Sequence, residues 1–102
     1  MGELEYIRKK LGDCELLCQL AEEAAELSKA ALKLRRVYDG TNPTPVKRSE
    51  AFDNLKEEIA DVWLVLMVLK LDDLNIAEYN HIMHTKLNRW AGRLRAARQE
   101  GQ

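Results

Sequence analysis

Residues 55–71 read LKEEIADVWLVLMVLKL, and this stretch decides the fold. It begins as an amphipathic helical pattern and then becomes an almost unbroken apolar run. A helix that is apolar nearly all round has to be buried on more than one side. Two carboxylates, Glu58 and Asp61, stand one helical turn apart where the apolar run begins. Charged groups entering a buried segment need a chemical reason.

The composition indicates a helical protein of ordinary type. The 102 residues include only five glycines and two prolines, and we expect one domain, residues 1–102. A net charge of −1 disfavours nucleic acid or a membrane surface as partner. The run 62–71 is about half a bilayer span and contains Lys70. No signal peptide pattern is visible, and we interpret Cys14 and Cys18 as reduced thiols rather than a disulfide or metal site. The expected location is therefore the cytoplasm.

Helical periodicity predicts an all-α fold with four helices, the first of which ends at Gly12. The predicted helices cover residues 3–11, 14–37, 49–71 and 75–98. Turn signals fill residues 38–48, and a connection of this length suits antiparallel neighbours. We therefore expect an antiparallel, bundle-like arrangement of four helices, completed by oligomerisation.

Apolar stripes predict which face of each helix is buried. On the second helix the stripe is Leu16, Leu20, Leu27, Ala30 and Leu34. On the third it is Phe52, Leu55, Ile59, Val62 and Leu66. On the fourth it is Ile76, Tyr79, Met83, Leu87, Trp90, Leu94 and Ala97. Glu23 falls in the middle of the first of these stripes, where a solvated glutamate is not expected. Trp63 and Trp90 are interpreted as packing residues, with stacking on a nucleotide base as the alternative.

Four carboxylates form the candidate metal site. Glu23 and Glu26 are three residues apart on one helix, and Glu58 and Asp61 repeat that spacing on the next. Buried together they would repel one another, and a divalent cation removes that repulsion. Oxygen ligands without His or Cys favour Mg²⁺, with Mn²⁺ as a possible substitute. The alternative, ordinary surface glutamates, does not account for the apolar surroundings.

A carboxylate-bound Mg²⁺ suggests phosphate chemistry, since this ion takes substrate phosphates as ligands. A basic row on the last helix, Lys86, Arg89 and Arg93, could neutralise a polyphosphate. Stabilisation by the helix dipole is an equally good explanation of these cations. His81 and His84 are interpreted as surface or interface residues rather than ligands.

With these residues the chain resembles the MazG-like, all-α nucleoside triphosphate pyrophosphohydrolase superfamily, which includes dimeric dUTPases and dCTP pyrophosphatases. The family signature EExxE followed by ExxD is matched by EEAAE at residues 22–26 and EIAD at residues 58–61. The similarity extends over residues 5–95.

The resemblance implies that Glu23, Glu26, Glu58 and Asp61 bind Mg²⁺. It also implies hydrolysis of nucleoside triphosphates to a nucleoside monophosphate and pyrophosphate, with Glu23 as the catalytic residue that positions or deprotonates water. Homodimers or homotetramers are implied too, with sites built partly by a neighbouring chain.

Two departures from the family concern nucleotide contacts. Val65 stands where many members have a tyrosine, and the family's basic pattern is only loosely met by Lys86, Asn88, Arg89 and Arg93. Base and sugar preference therefore stay open. One alternative function is a non-catalytic, oligomeric helical module that binds nucleotide or metal for regulation. Another is nucleic-acid binding through the last helix, which the near-zero net charge disfavours.

Overall fold

A computed structural model of the chain describes residues 2–43, 45–71 and 76–100. These residues form three α-helices and no strand: α1 (Glu3–Asp39), α2 (Arg48–Val68) and α3 (Ile76–Glu100). The all-α prediction is confirmed. The helix count differs because the first two predicted helices are joined into α1.

Gly12 interrupts α1 without a loop. Its backbone, at φ 81° and ψ 167°, is not helical, and α1 is kinked there. This combination of angles is accessible essentially only to glycine, which lacks a Cβ. The prediction that Gly12 stops the first helical segment is therefore correct for the backbone, although the next segment follows directly.

Contacts divide the chain into two compact units, Met1–Asp72 and Asp73–Gln102, and each is described by itself. In the first unit α1 packs against α2. Near the connection, the guanidinium of Arg48 lies 4.3 Å from the ring centre of Tyr38. Further along, Glu23 on α1 comes close to Glu58 on α2. The two helices therefore run antiparallel, as predicted from the short connection.

Left-handed residues end both helices of this hairpin. Gly40, at φ 75°, follows α1, and its N–H donates to the carbonyl of Arg36. After α2, Lys70 takes φ 61°, with Lys70 N–H bonded to Met67 and Leu71 N–H bonded to Leu66. This is the Schellman pattern, which usually places glycine at the left-handed position. Lysine does not signal a helix end in the sequence, which is why the third predicted helix extends to Leu71 and α2 ends earlier.

The core of the hairpin lies between its two helices. The buried apolar side chains are Leu16, Ala30, Leu34, Ala51, Val65 and Val68. The stripe predicted for α1 is confirmed, since Leu20 and Leu27 are half-buried beside these residues. The stripe predicted for α2 is wrong at Phe52 and Ile59, which are 44% and 46% exposed. Because α2 is apolar nearly all round, periodicity alone could not select its packing face.

Helix α3 forms the second unit and carries an exposed apolar row. Its exposed large apolar residues are Ile76, Tyr79, Ile82, Met83, Leu87, Trp90 and Leu94. The connection between the third and fourth predicted helices, at residues 72–74, and Asn75, the predicted start of the fourth, lie outside the described residues. Within the described ranges, no helix combines the length and apolar character needed to span a membrane.

Candidate metal centre

Three carboxylates from the two hairpin helices meet at mid-length. Glu23 comes from α1, and Glu58 and Asp61 come from α2. One oxygen of each lies within 4.8 Å of an oxygen of the others. The grouping requires both helices, because the motifs are separated by more than thirty residues in sequence.

The packing of α1 against α2 determines where Glu23 and Glu58 lie. Glu23 lies one turn from Leu20 and Leu27 on the face of α1 that meets α2, and it is half-buried. Glu58 occupies the equivalent place on α2, one turn from Leu55 and Val62, and is half-buried too. The apolar neighbours therefore hold two acids at the helix interface.

Asp61 differs from the other two because it is exposed. It follows Glu58 by one turn, so its carboxylate lies on the solvent side of the group. The site is consequently open to water and to small solutes. A ligand could reach the three oxygens without displacing the packed side chains.

Gln19 orients Glu23. Its side-chain Nε2 donates to Oε1 of Glu23 at 2.8 Å, in a partly buried position. Gln19 is not among the predicted site residues. Its place four residues before Glu23 on the same face of α1 is the signal that could have identified it.

Glu26 lies outside this group of three. It is exposed, and Nζ of Lys29, one turn further on, lies 3.4 Å from its Oε1. The structure therefore brings together three of the four predicted ligands. Glu26 is still near enough for its charge to act on Glu58.

Electrostatics at Glu58 disfavour the ionised state. Burial raises the pKa of Glu58, and the negative charges of Asp61, Glu26 and Glu23 raise it further. Without a cation, burial and the neighbouring carboxylates therefore destabilise the ionised form of Glu58. A bound positive charge would remove the like-charge repulsion.

The donor set fits a hard divalent cation. All three donors are carboxylate oxygens, which Mg²⁺, Mn²⁺ and Ca²⁺ prefer. The three oxygens lie within 4.8 Å of one another, so a cation that bound all of them would have to draw them closer together.

The predicted phosphate-binding residues lie together on α3. Lys86 and Arg89 line a shallow surface pocket of about 350 Å³ with His81, Ile82 and Thr85. His84, in contrast, lies 3.2 Å from the side-chain amide nitrogen of Asn88. Contact of Lys86 and Arg89 with substrate stays a prediction.

Comparisons of the chain with models of protein families, with curated proteins and with solved structures give no significant match. Residues from two separate motifs, Glu23 from one and Glu58 and Asp61 from the other, nevertheless lie together in the fold.

Proposed function

We propose that this protein is a Mg²⁺-dependent pyrophosphohydrolase of (deoxy)nucleoside triphosphates, of the MazG-like all-α kind. Its products are a nucleoside monophosphate and pyrophosphate, and its role is the removal of surplus or non-canonical nucleotides. The proposal depends on one observation, the grouping of Glu23, Glu58 and Asp61 within 4.8 Å. These residues come from the two half-motifs whose combination suggested the activity.

Glu23, Glu58 and Asp61 are the residues that would hold the metal, with Mn²⁺ able to replace Mg²⁺. Glu26 joins them if its carboxylate leaves Lys29. When bound, Mg²⁺ supplies positive charge that polarises phosphoryl oxygens and offsets the charge of a triphosphate. The apolar contacts of Glu23 and Glu58 keep their carboxylates in place for that task.

Glu23 is proposed to act on the attacking water. Its half-buried carboxylate is held through Oε1 by Gln19, which limits its rotation. A carboxylate so fixed can accept a proton from water as the oxygen attacks the α-phosphorus. The bond from that phosphorus to the bridging oxygen breaks, and pyrophosphate leaves with the electron pair.

Lys86 and Arg89 are proposed to bind the phosphate chain. Both are exposed cations on one side of α3 and line the same pocket. Arg89 suits this task because a guanidinium can bond two phosphate oxygens at once. A homodimer or homotetramer in the cytoplasm is part of the same proposal.

The decisive experiment measures pyrophosphate release from a panel of nucleoside triphosphates, with and without Mg²⁺. We expect Glu58→Gln and Asp61→Asn to lower the Mg²⁺-dependent rate by about a hundredfold or more, because each removes a charged metal ligand. Glu57→Gln is the matched control. It makes the same chemical change at a neighbouring exposed position of α2 and should retain most activity.

Two outcomes would refute the proposal. One is the absence of Mg²⁺-dependent release from every nucleotide in the panel. The other is unchanged turnover by Glu58→Gln and Asp61→Asn. Binding of nucleotide that requires Mg²⁺ but yields no product would favour the non-catalytic regulatory module instead.

A further inference from the structure

The connecting end of the hairpin is strongly basic. Residues 33–48 contain five cations and a single carboxylate, Asp39, whereas the whole chain has a net charge of −1. Three of the cations lie in the last two turns of α1, and two lie at the start of α2. The cations are Lys33, Arg35, Arg36, Lys47 and Arg48.

Helix stability does not explain all of these cations. The C-terminus of α1 favours positive charge, so Arg35 and Arg36 are well placed there. The N-terminus of α2 disfavours it, yet Lys47 is the N-cap residue and Arg48 is the first helical residue. A lysine side chain also has no acceptor with which to cap the first N–H groups.

Local contacts neutralise only part of this charge. Arg35 lies 3.9 Å from Asp39, and Arg48 is stacked on Tyr38. The hydroxyl of Thr41 donates to Asp39 and holds the pKa of that carboxyl below its usual range, so Asp39 stays ionised. Within the described part of the chain, Arg36 and Lys47 form no ion pair with a carboxylate.

A surface notch lies among these charges. Its volume is about 260 Å³, and its lining is Arg36, Val37, Gly40, Asn42, Pro45 and Val46. Lys33 precedes Arg36 by one turn on α1, and Lys47 directly follows Val46. Arg36 is the cation among these lining residues, and Lys33 and Lys47 are close to the lining residues along the chain.

We propose that this notch binds a small oligophosphate, either inorganic pyrophosphate or the phosphate chain of a nucleotide. A planar guanidinium and nearby ammonium groups are suited to phosphate oxygens, with which they form charge-assisted hydrogen bonds. The site is separate from the carboxylate group, because Arg36 is thirteen residues beyond Glu23, about 20 Å along α1. Binding here requires no divalent cation.

The test is calorimetric titration of the full chain with inorganic pyrophosphate in the presence of EDTA. We expect saturable binding of one pyrophosphate per chain, weakened about tenfold in Arg36→Ala by loss of its charge-assisted bonds. Lys33→Ala should weaken binding in the same direction. Circular dichroism of each variant checks that its helices are intact.

Matched controls separate this site from other cations and from the metal centre. Lys9→Ala removes the same charge from α1 at the opposite end, where Lys9 pairs with Glu5 at 3.6 Å, and should bind as wild type. Glu58→Gln should also bind as wild type. Because Glu58→Gln is expected to remove the proposed hydrolase activity, unchanged pyrophosphate binding by this variant distinguishes the notch from the hydrolase site.

The source of the phosphate is decided by parallel titrations with a non-hydrolysable nucleoside triphosphate. Tighter binding of the nucleotide assigns the notch to nucleotide phosphates, and equal or weaker binding assigns it to pyrophosphate. Three results would overturn the proposal: no binding in EDTA, equal losses in Lys9→Ala and Arg36→Ala, or preferential binding of a single-stranded oligonucleotide.

Discussion

At the scale of single residues, Glu58 lies half-buried between Leu55 and Val62, beside the carboxylates of Glu23 and Asp61. Burial and four neighbouring negative charges, those of Asp61, Glu26, Glu23 and Glu57, all raise its pKa. The folded chain therefore holds this group in an environment that favours its neutral form. A divalent cation bound here would reverse that preference, so metal binding at this residue would be linked to the stability of the fold.

The pH dependence of stability follows from this linkage. The pKa of Glu58 is raised in the folded state, whereas the unfolded chain has an ordinary glutamate pKa of about 4.3. Its contribution to stability is fully present below the unfolded pKa and is lost as the pH rises through the folded pKa. In EDTA, the melting temperature of wild type should therefore fall relative to Glu58→Gln as the pH rises above about 4.3.

Thermal melts of both proteins across this pH range check the prediction. Mg²⁺ should cancel the relative fall in wild type and have little effect on Glu58→Gln. Comparison with the variant is necessary because other carboxylates act in the opposite sense. Asp39, whose pKa is lowered, contributes stability that is lost as the pH falls. Parallel pH profiles for the two proteins in EDTA would contradict the linkage.

At the scale of elements, α1 depends on the backbone of Gly12 and α2 depends on that of Lys70. Gly12 lets two helical segments follow one another at an angle. Lys70 ends α2 in a left-handed conformation that costs a non-glycine residue about 1 kcal/mol. The break at Gly12 was predictable from the sequence, because glycine is a recognised helix terminator. The left-handed end at Lys70 was not predictable, because lysine is not a residue that favours this conformation.

Replacing Gly12 with alanine should destabilise the hairpin. The φ of 81° and ψ of 167° are disfavoured for any residue with a Cβ, at a cost of about 1–3 kcal/mol. Chemical denaturation followed by circular dichroism measures this loss. Nothing lies within 4 Å of the position a Cβ would take, so backbone strain rather than collision is the cause.

Gly92→Ala is the matched control for this prediction. Gly92 lies inside α3, and a Cβ there also meets nothing within 4 Å. Alanine should therefore be neutral or stabilise α3 by up to about 1 kcal/mol through helix propensity. If Gly12→Ala behaved like Gly92→Ala, the kink would not be a constrained feature of α1.

At the scale of the whole molecule, large apolar side chains remain exposed on both units. On α2 these include Phe52, Ile59 and Trp63, the last being 60% exposed. On α3 the apolar row from Ile76 to Leu94 is exposed in the same way. Contiguous apolar surface of this kind marks interaction sites in soluble proteins.

We expect the protein to be a homodimer or homotetramer in solution. Light scattering coupled to size exclusion should give a mass of two or four chains, and Trp63→Glu should shift it towards the monomer. Asn54→Glu adds the same carboxylate to another exposed position of α2 and should leave the mass unchanged. A monomeric wild type at micromolar concentration would contradict the expectation.

The sequence by itself determined the helical class, the break at Gly12, the buried stripe of α1 and the identity of the two acidic half-motifs. Each of these depends on periodicity or backbone chemistry within a few residues. Only the tertiary structure decided which face of α2 is buried, because that helix is apolar nearly all round. It also decided that Glu23 meets Glu58 and Asp61 while Glu26 stays beside Lys29. These outcomes depend on the packing of α1 against α2, which helical periodicity does not specify.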